Sequence, residues 1–188
     1  MNSSAIVVQN TPSDNINYSE CKIILQPQHF TSAQGFRDFW KIVKQTAKKH
    51  GVDVQEDKDA FVNQVREVLF YDTPDHDLYN NHFIVRLRSF YKDGWPDGLP
   101  ELTVKFRHPD FATAAAVDVR PATPGSSARI KFKEELLPLR EGLGGFRFIY
   151  SHNCVMSMPR ERLNMAVEDL TRSFPALSRA EAKPDHRV

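Results

Sequence analysis

The sequence predicts an α+β protein organised around an antiparallel sheet with one charged face, and three observations lead there. Phe83-Ile-Val-Arg-Leu-Arg88, Glu101-Leu-Thr-Val-Lys-Phe-Arg107 and Arg129-Ile-Lys-Phe-Lys-Glu-Glu135 alternate apolar and charged residues with the two-residue period of a strand. Phe36, Phe39, Trp40, Val43 and Ala47 recur at the three- and four-residue spacing of an amphipathic helix. Clusters of Pro, Gly, Asp and Asn separate these segments, as turns do. A half-solvated antiparallel sheet shows similar alternation. Here the sign is unusual, because the charged positions are mostly cationic while the whole chain carries a net charge of only +1. A concentrated positive face needs an anion.

In chain order, residues 1–15 read as a loose polar arm. A first strand over about 16–25 places Glu20 and Lys22 on one side and Cys21 and Ile23 on the other, and stops at Pro27. Thr31 or Ser32 caps a helix that reaches about His50, where Lys48 and Lys49 suit its C-terminus. After Gly51 and an acidic loop, a strand over about 62–71 ends in Val68-Leu-Phe-Tyr-Asp-Thr-Pro-Asp75, an apolar run stopped by proline. The segment from Asp75 to Asn81 reads as a turn. Strands follow at about 82–92 and 101–107, joined by a loop over Asp93-Gly-Trp-Pro-Asp-Gly98. Further strands are expected at 114–120, 128–137 and, shorter, 146–150. Pro159 opens a helix over about 160–172 with Leu163, Ala166, Val167 and Leu170 on one stripe, and the tail over 176–188 reads as frayed.

Composition sets bounds. At 188 residues, 40% hydrophobic and 26% charged, the chain is an ordinary globular one, read as a single domain over 16–175. A net charge of +1 argues against a protein that coats extended nucleic acid. No apolar run of about 18 residues is present, so no membrane span is expected. Met1-Asn-Ser-Ser-Ala-Ile-Val-Val-Gln9 lacks the basic start and long apolar core of a signal peptide, and two cysteines, Cys21 and Cys154, form no disulfide framework. The expected location is the cytoplasm. Seven scattered histidines show no zinc-ligand spacing.

Arg86 with Arg88 forms the centre of the anion-binding expectation, because paired guanidinium forks each grip a phosphate or carboxylate through two hydrogen bonds. Lys105 and Arg107 share a face of the next strand, and Lys131 and Lys133 share one with Arg129. The order Glu20-x-Lys22, Phe70-Tyr-Asp-Thr-Pro-Asp75, Arg86-x-Arg88 and Leu102-Thr-x-Lys105 resembles the CYTH domain of the triphosphate tunnel metalloenzymes, over roughly residues 16–135. That resemblance implies an antiparallel β-barrel with a charged interior and helices packed outside. It implies a metal-dependent hydrolase of a small organic or inorganic triphosphate, with Mg²⁺ or Mn²⁺ as cofactor and Glu20 as a metal ligand. Lys22, Arg86, Arg88 and Lys105 would hold the phosphates, with Arg107, Lys131 and Lys133 as additions. A catalytically impaired triphosphate- or polyphosphate-binding module and an adenylate cyclase are the alternatives.

The departures from that pattern are specific. The family's first strand usually reads Glu-x-Glu-x-Lys, and its first glutamate falls here on Tyr18, a poor ligand for a hard cation. Among acidic residues near the end of the matching segment, only Asp118, Glu134 and Glu135 are candidates for a second carboxylate, while Glu161, Glu168 and Asp169 read as helix surface. No catalytic carboxylate is assigned. Either the chain is a piece of a longer protein or its barrel is incomplete, a cup whose strand edges need cover from the last helix or from a second copy in a homodimer.

Overall fold

The structure, a computed structural model, describes residues 15–123, 127–139, 144–159 and 166–183. These residues group into two compact units: one contains the chain up to Lys22 and from Val65 onward, the other is Ile23–Gln64.

The larger unit is α+β. Its six strands are β1 (Tyr18–Cys21), β2 (Val65–Tyr71), β3 (Phe83–Lys92), β4 (Trp95–His108), β5 (Arg129–Pro138) and β6 (Phe146–Ser157), and they form one sheet in the order β1-β5-β6-β4-β3-β2. The sheet is open, with β1 and β2 at its edges. It is also mixed rather than wholly antiparallel, because β1 runs parallel to β5. Asn17 fixes that pairing: its side chain accepts a 2.7 Å hydrogen bond from the Phe132 N–H, and its own N–H donates to the Phe132 carbonyl at 2.8 Å. The first strand is therefore shorter than the expected 16–25.

Between β2 and β3 the Asp-Thr-Pro-Asp segment is a built turn. The Asp72 carboxylate accepts hydrogen bonds from the N–H groups of Thr73, Leu78 and Tyr79, and the Thr73 hydroxyl donates to Asp77. These bonds carry the chain into α2 (Asp77–Asn80) and seat Leu78, which is buried. Asp72 is thereby a structural acceptor.

The expected loop over 93–98 is only two residues long. Asp93 and Gly94 both have positive φ, the requirement of a two-residue hairpin turn whose twist matches its strands, and Lys92 pairs with Trp95 across it. A register shift between Arg88 and Phe90 takes up the extra length, and Pro96 is tolerated because β6 pairs with β4 only from Glu101 onward.

Four other expectations change. Residues 111–115 form α3 (Phe111–Ala115), capped by the Asp110 side chain on the Thr113 N–H at 2.8 Å, and the segment after it joins no strand of the described sheet, although Val117 and Val119 are buried. The expected short strand at 146–150 is the twelve-residue β6, which pairs with β5 from Phe146 to Val155 and with β4 from Tyr150. The last helix is α4 (Val167–Ser173); most of the stretch before it, including Leu163, lies outside the described residues. The tail continues as a 3₁₀ helix, Pro175–Ala180, whose Ala176, Leu177 and Ala180 are buried.

One side of the sheet is the core. Phe83, Val85 and Leu87 of β3, Leu102, Val104 and Phe106 of β4, and Cys154 of β6 cluster with Leu170, Phe174 and Leu177 from the C-terminal segment. Burying side chains of this size contributes roughly 1.5–3 kcal/mol each. The charged positions of the same strands are thereby turned to the opposite side.

The smaller unit contains α1 (Ala33–Lys49), within a residue or two of its expected span. Phe30 packs against Phe36 and Phe39, at 5.0 and 5.6 Å between ring centroids. Glycine is required at position 35, where a Cβ would lie 2.6 Å from the His29 carbonyl oxygen. Lys44 pairs with Glu56 at 2.9 Å, and the Trp40 indole N–H donates to the same carboxylate at 2.5 Å.

Candidate functional site

Strand register places the candidate cations on one surface. In an antiparallel or parallel ladder, Cα partners point to the same face. Phe70 pairs with Arg86, Arg86 with Thr103, and Arg88 with both Val68 and Glu101. Thr103, Lys105 and Arg107 face the same way as Val155, Asn153 and Ser151 of β6. Those pair in turn with Arg129, Lys131 and Lys133 of β5, and Lys133 and Glu135 pair with Tyr18 and Glu20 of β1. Lys22, Arg86, Arg88, Lys105, Arg107, Lys131 and Lys133 thus share the face opposite the core. Glu20 stands there with them.

At the β1–β5–β6 end, one carboxylate dominates. Glu135 is 0% exposed and accepts from Lys105 at 2.5 Å, Arg107 at 2.6 Å and Lys22 at 2.9 Å, with the Ser151 hydroxyl at 3.4 Å. Burial alone would raise its pKa; the ammonium groups of Lys105 and Lys22 and the charge of Arg107 overcome that and hold it at about 2. Lys105 is displaced downward, first by burial and further by the Arg107 and Lys22 charges, with Glu135 opposing.

Tyr18 occupies the position where the resembled family has a carboxylate, and its ring lies 4.9 Å from the Lys133 ammonium and 5.5 Å from that of Lys131. A π face is a weak, neutral substitute for an anion. Lys133 also lies 3.6 Å from Glu20; burial pulls its pKa down, but the Tyr18 hydroxyl and the charges of Glu20 and Glu135 raise it on balance. Glu20 is 3.5 Å from Lys22 as well.

The β2–β3 end is different, because its cations lack equivalent counter-ions. The Arg86 guanidinium makes one long hydrogen bond, 3.4 Å to the Thr103 hydroxyl, and no ion pair or hydrogen bond joins Arg88 to another described residue. The Nε atoms of Arg86, Arg88 and Arg107 are buried without a hydrogen-bond partner among the described residues. Burial, then the adjacent Arg88 charge, and lastly that of Arg66 lower the Arg86 pKa, while Glu101 acts the other way. Glu101 is itself engaged by Arg129 at 2.8 Å. A buried donor without an acceptor costs about 1–3 kcal/mol, so this end is suited to receive an anion.

The donor set does not fit a divalent ion held by protein groups. Magnesium or manganese needs several hard oxygens. Glu20 and Glu135 are neighbours in register, but Glu135 has its oxygens committed to cations. No cluster of three or more His, Cys, Asp or Glu residues able to hold a metal occurs among the described residues. Of the other acidic candidates, Asp118 is paired with Arg120 at 2.6 Å and Glu134 accepts from Ser19 at 2.8 Å. Glu168 and Asp169 pair with Arg172 on the α4 surface, and Glu161 lies outside the described residues.

Sequence reading missed three contributors. Arg66 reaches this face because it pairs with Phe90, and Val65-Arg-Glu-Val68 shows no period-two alternation that could mark it. Ser151 and Asn153 were hidden because the polar run Ser-His-Asn looks unlike a strand, although His152 between them is buried against Phe132. Glu135 lay among the acidic candidates; its grip on three cations from β1 and β4 depends on pairings distant in sequence.

No protein family, curated protein or solved structure matches this chain. No helix among the described residues is long and apolar enough to cross a membrane.

Proposed function

We propose that the cationic sheet face binds a small organic or inorganic oligophosphate, a triphosphate in the reading that the CYTH resemblance suggests. The observation that carries this is the Arg86–Arg88 pair, whose buried Nε donors have no acceptor and which form no ion pair among the described residues, while Lys22, Lys105 and Arg107 on the same face share the Glu135 carboxylate. A phosphate supplies both the negative charge and the several acceptor oxygens that paired guanidiniums require. In this reading the sheet forms one wall of a cup around the ligand, as an incomplete member of that barrel family would.

Binding is what these residues supply directly. Metal-dependent hydrolysis is the second reading, favoured by one observation: Glu20 and Glu135 sit side by side on adjacent strands of the face. Against it stand the commitment of Glu135 to three cations and Tyr18 in place of a second flexible carboxylate.

Calorimetric titration with inorganic tripolyphosphate, with a chelator present, tests the binding reading. We expect saturable binding that Arg86→Ala weakens by about 1.5–3 kcal/mol, the range for hydrogen bonds to charged groups. Unchanged affinity in that variant would remove Arg86 from the site. Release of phosphate, or formation of a cyclic nucleotide, from a triphosphate with Mg²⁺ or Mn²⁺ would instead favour an enzyme.

A further inference from the structure

The two ends of the cationic face are not equivalent as phosphate sites. Around Glu135 the cations already surround an anion: a fully buried carboxylate with donors at 2.5, 2.6 and 2.9 Å. An incoming phosphate there meets a fixed negative charge that already takes one contact from each of Lys22, Lys105 and Arg107. It competes with that resident carboxylate for those donors and is repelled by it, although the Arg107 Nε remains without an acceptor among the described residues. At the other end the Arg86 and Arg88 guanidiniums repel one another, keep buried Nε–H groups without acceptors among the described residues, and have no carboxylate paired with them there. A third guanidinium belongs with them. Arg66 of β2 projects onto the same face, because Phe70, Val68 and Arg66 pair with Arg86, Arg88 and Phe90, and its charge acts on Arg86. It lies diagonally next to Arg88, a separation of about 7–8 Å between such positions, which long side chains span.

Resting on the oligophosphate reading, we propose that Glu135 is a resident counter-anion that closes its end of the face to phosphate, and that the ligand is confined to a three-arginine subsite in which Arg66 completes the clamp of Arg86 and Arg88. The subsite spans two adjacent strands, about 5 Å apart, which is room for two or three linked phosphates but not for a long chain. Glu135 is then a determinant of ligand length. It acts by occupying, not by touching the ligand.

Titrations with pyrophosphate, tripolyphosphate and hexapolyphosphate, metal chelated, test this on the wild-type chain, Arg66→Ala and Glu135→Gln. For the wild type we expect affinity to rise from pyrophosphate to tripolyphosphate and then level off, with hexapolyphosphate within about threefold of tripolyphosphate. Arg66 is exposed on an edge strand, so Arg66→Ala should fold normally. It should bind tripolyphosphate about tenfold more weakly, the low end for losing a hydrogen bond to a charged group. Glu135→Gln, checked for folding by its melting transition, should tighten hexapolyphosphate about tenfold and leave pyrophosphate within about twofold. Wild-type affinity that climbs steadily with chain length overturns the proposal even if Glu135→Gln fails to fold. So does Arg66→Ala binding like wild type while Arg86→Ala is impaired, a result that leaves the oligophosphate reading intact. Failure of the wild type to bind any of the three ligands defeats that reading itself.

Discussion

The two faces of β3 and β4 are built from alternate residues of the same strands and obey different rules. On one face Val85, Leu87, Val104 and Phe106 are buried against the C-terminal segment, and each contact is interchangeable with another of similar size. On the other, Arg86, Arg88, Lys105 and Arg107 are only partly buried, and what each contributes depends on whether a counter-charge is within reach. Lys105 and Arg107 have Glu135; Arg86 and Arg88 have no equivalent among the described residues. Stability is therefore concentrated on the apolar face, and unsatisfied binding capacity on the cationic one.

The largest expected effect tests the apolar side of that contrast. Phe83 is 1% exposed, and Phe83→Ala should cost about 3–5 kcal/mol in denaturant unfolding without altering which anions the residual folded protein binds. A loss under 1 kcal/mol would show that the core is elsewhere.

Next comes the pH dependence of Glu135. Its folded pKa of about 2 lies below the ordinary 4.5, so its contribution is fully present above about 4.5 and is lost as pH falls through about 2. The shift corresponds to roughly 3 kcal/mol of stability. Urea unfolding between pH 6 and pH 2.5 should show this decline, and Glu135→Gln should flatten it; an equally steep decline in the variant would mean other carboxylates govern acid unfolding.

A smaller effect distinguishes the free arginines from the compensated cations. Because Arg86 is partly desolvated beside a like charge and forms no ion pair among the described residues, Arg86→Ala should leave the unfolding free energy within about 1 kcal/mol of wild type, although it impairs oligophosphate binding. Strong destabilisation would show that Arg86 serves the fold. The smallest effect is expected on α4, where Arg172→Ala removes exposed pairs with Glu168 and Asp169 and should change stability by under about 1 kcal/mol.

The contrast between faces was legible in the sequence because it is a local, period-two property. Phe83 to Arg88, Leu102 to Arg107 and Ile130 to Glu135 each display it within half a dozen residues. The partnerships were not legible. Nothing near Tyr18 specifies that its strand runs parallel to β5, since Asn17 reaches Phe132 across more than a hundred residues of chain. β6 was foreshortened because Ser151, His152 and Asn153 are polar yet buried, held by Glu135, the Val117 carbonyl and one another. The 93–98 loop was overestimated because Pro96 and Gly98 are loop formers that a bulged hairpin also accepts.

The most direct measurement is calorimetric titration of tripolyphosphate into the metal-free wild-type chain at low and high salt, alongside the Arg86→Ala, Arg88→Ala double variant. We expect one saturable site in the wild type, weakened as salt rises and abolished in the double variant while its melting transition persists. Equal heats from both proteins, or none from the wild type, would contradict an anion site built on those two guanidiniums.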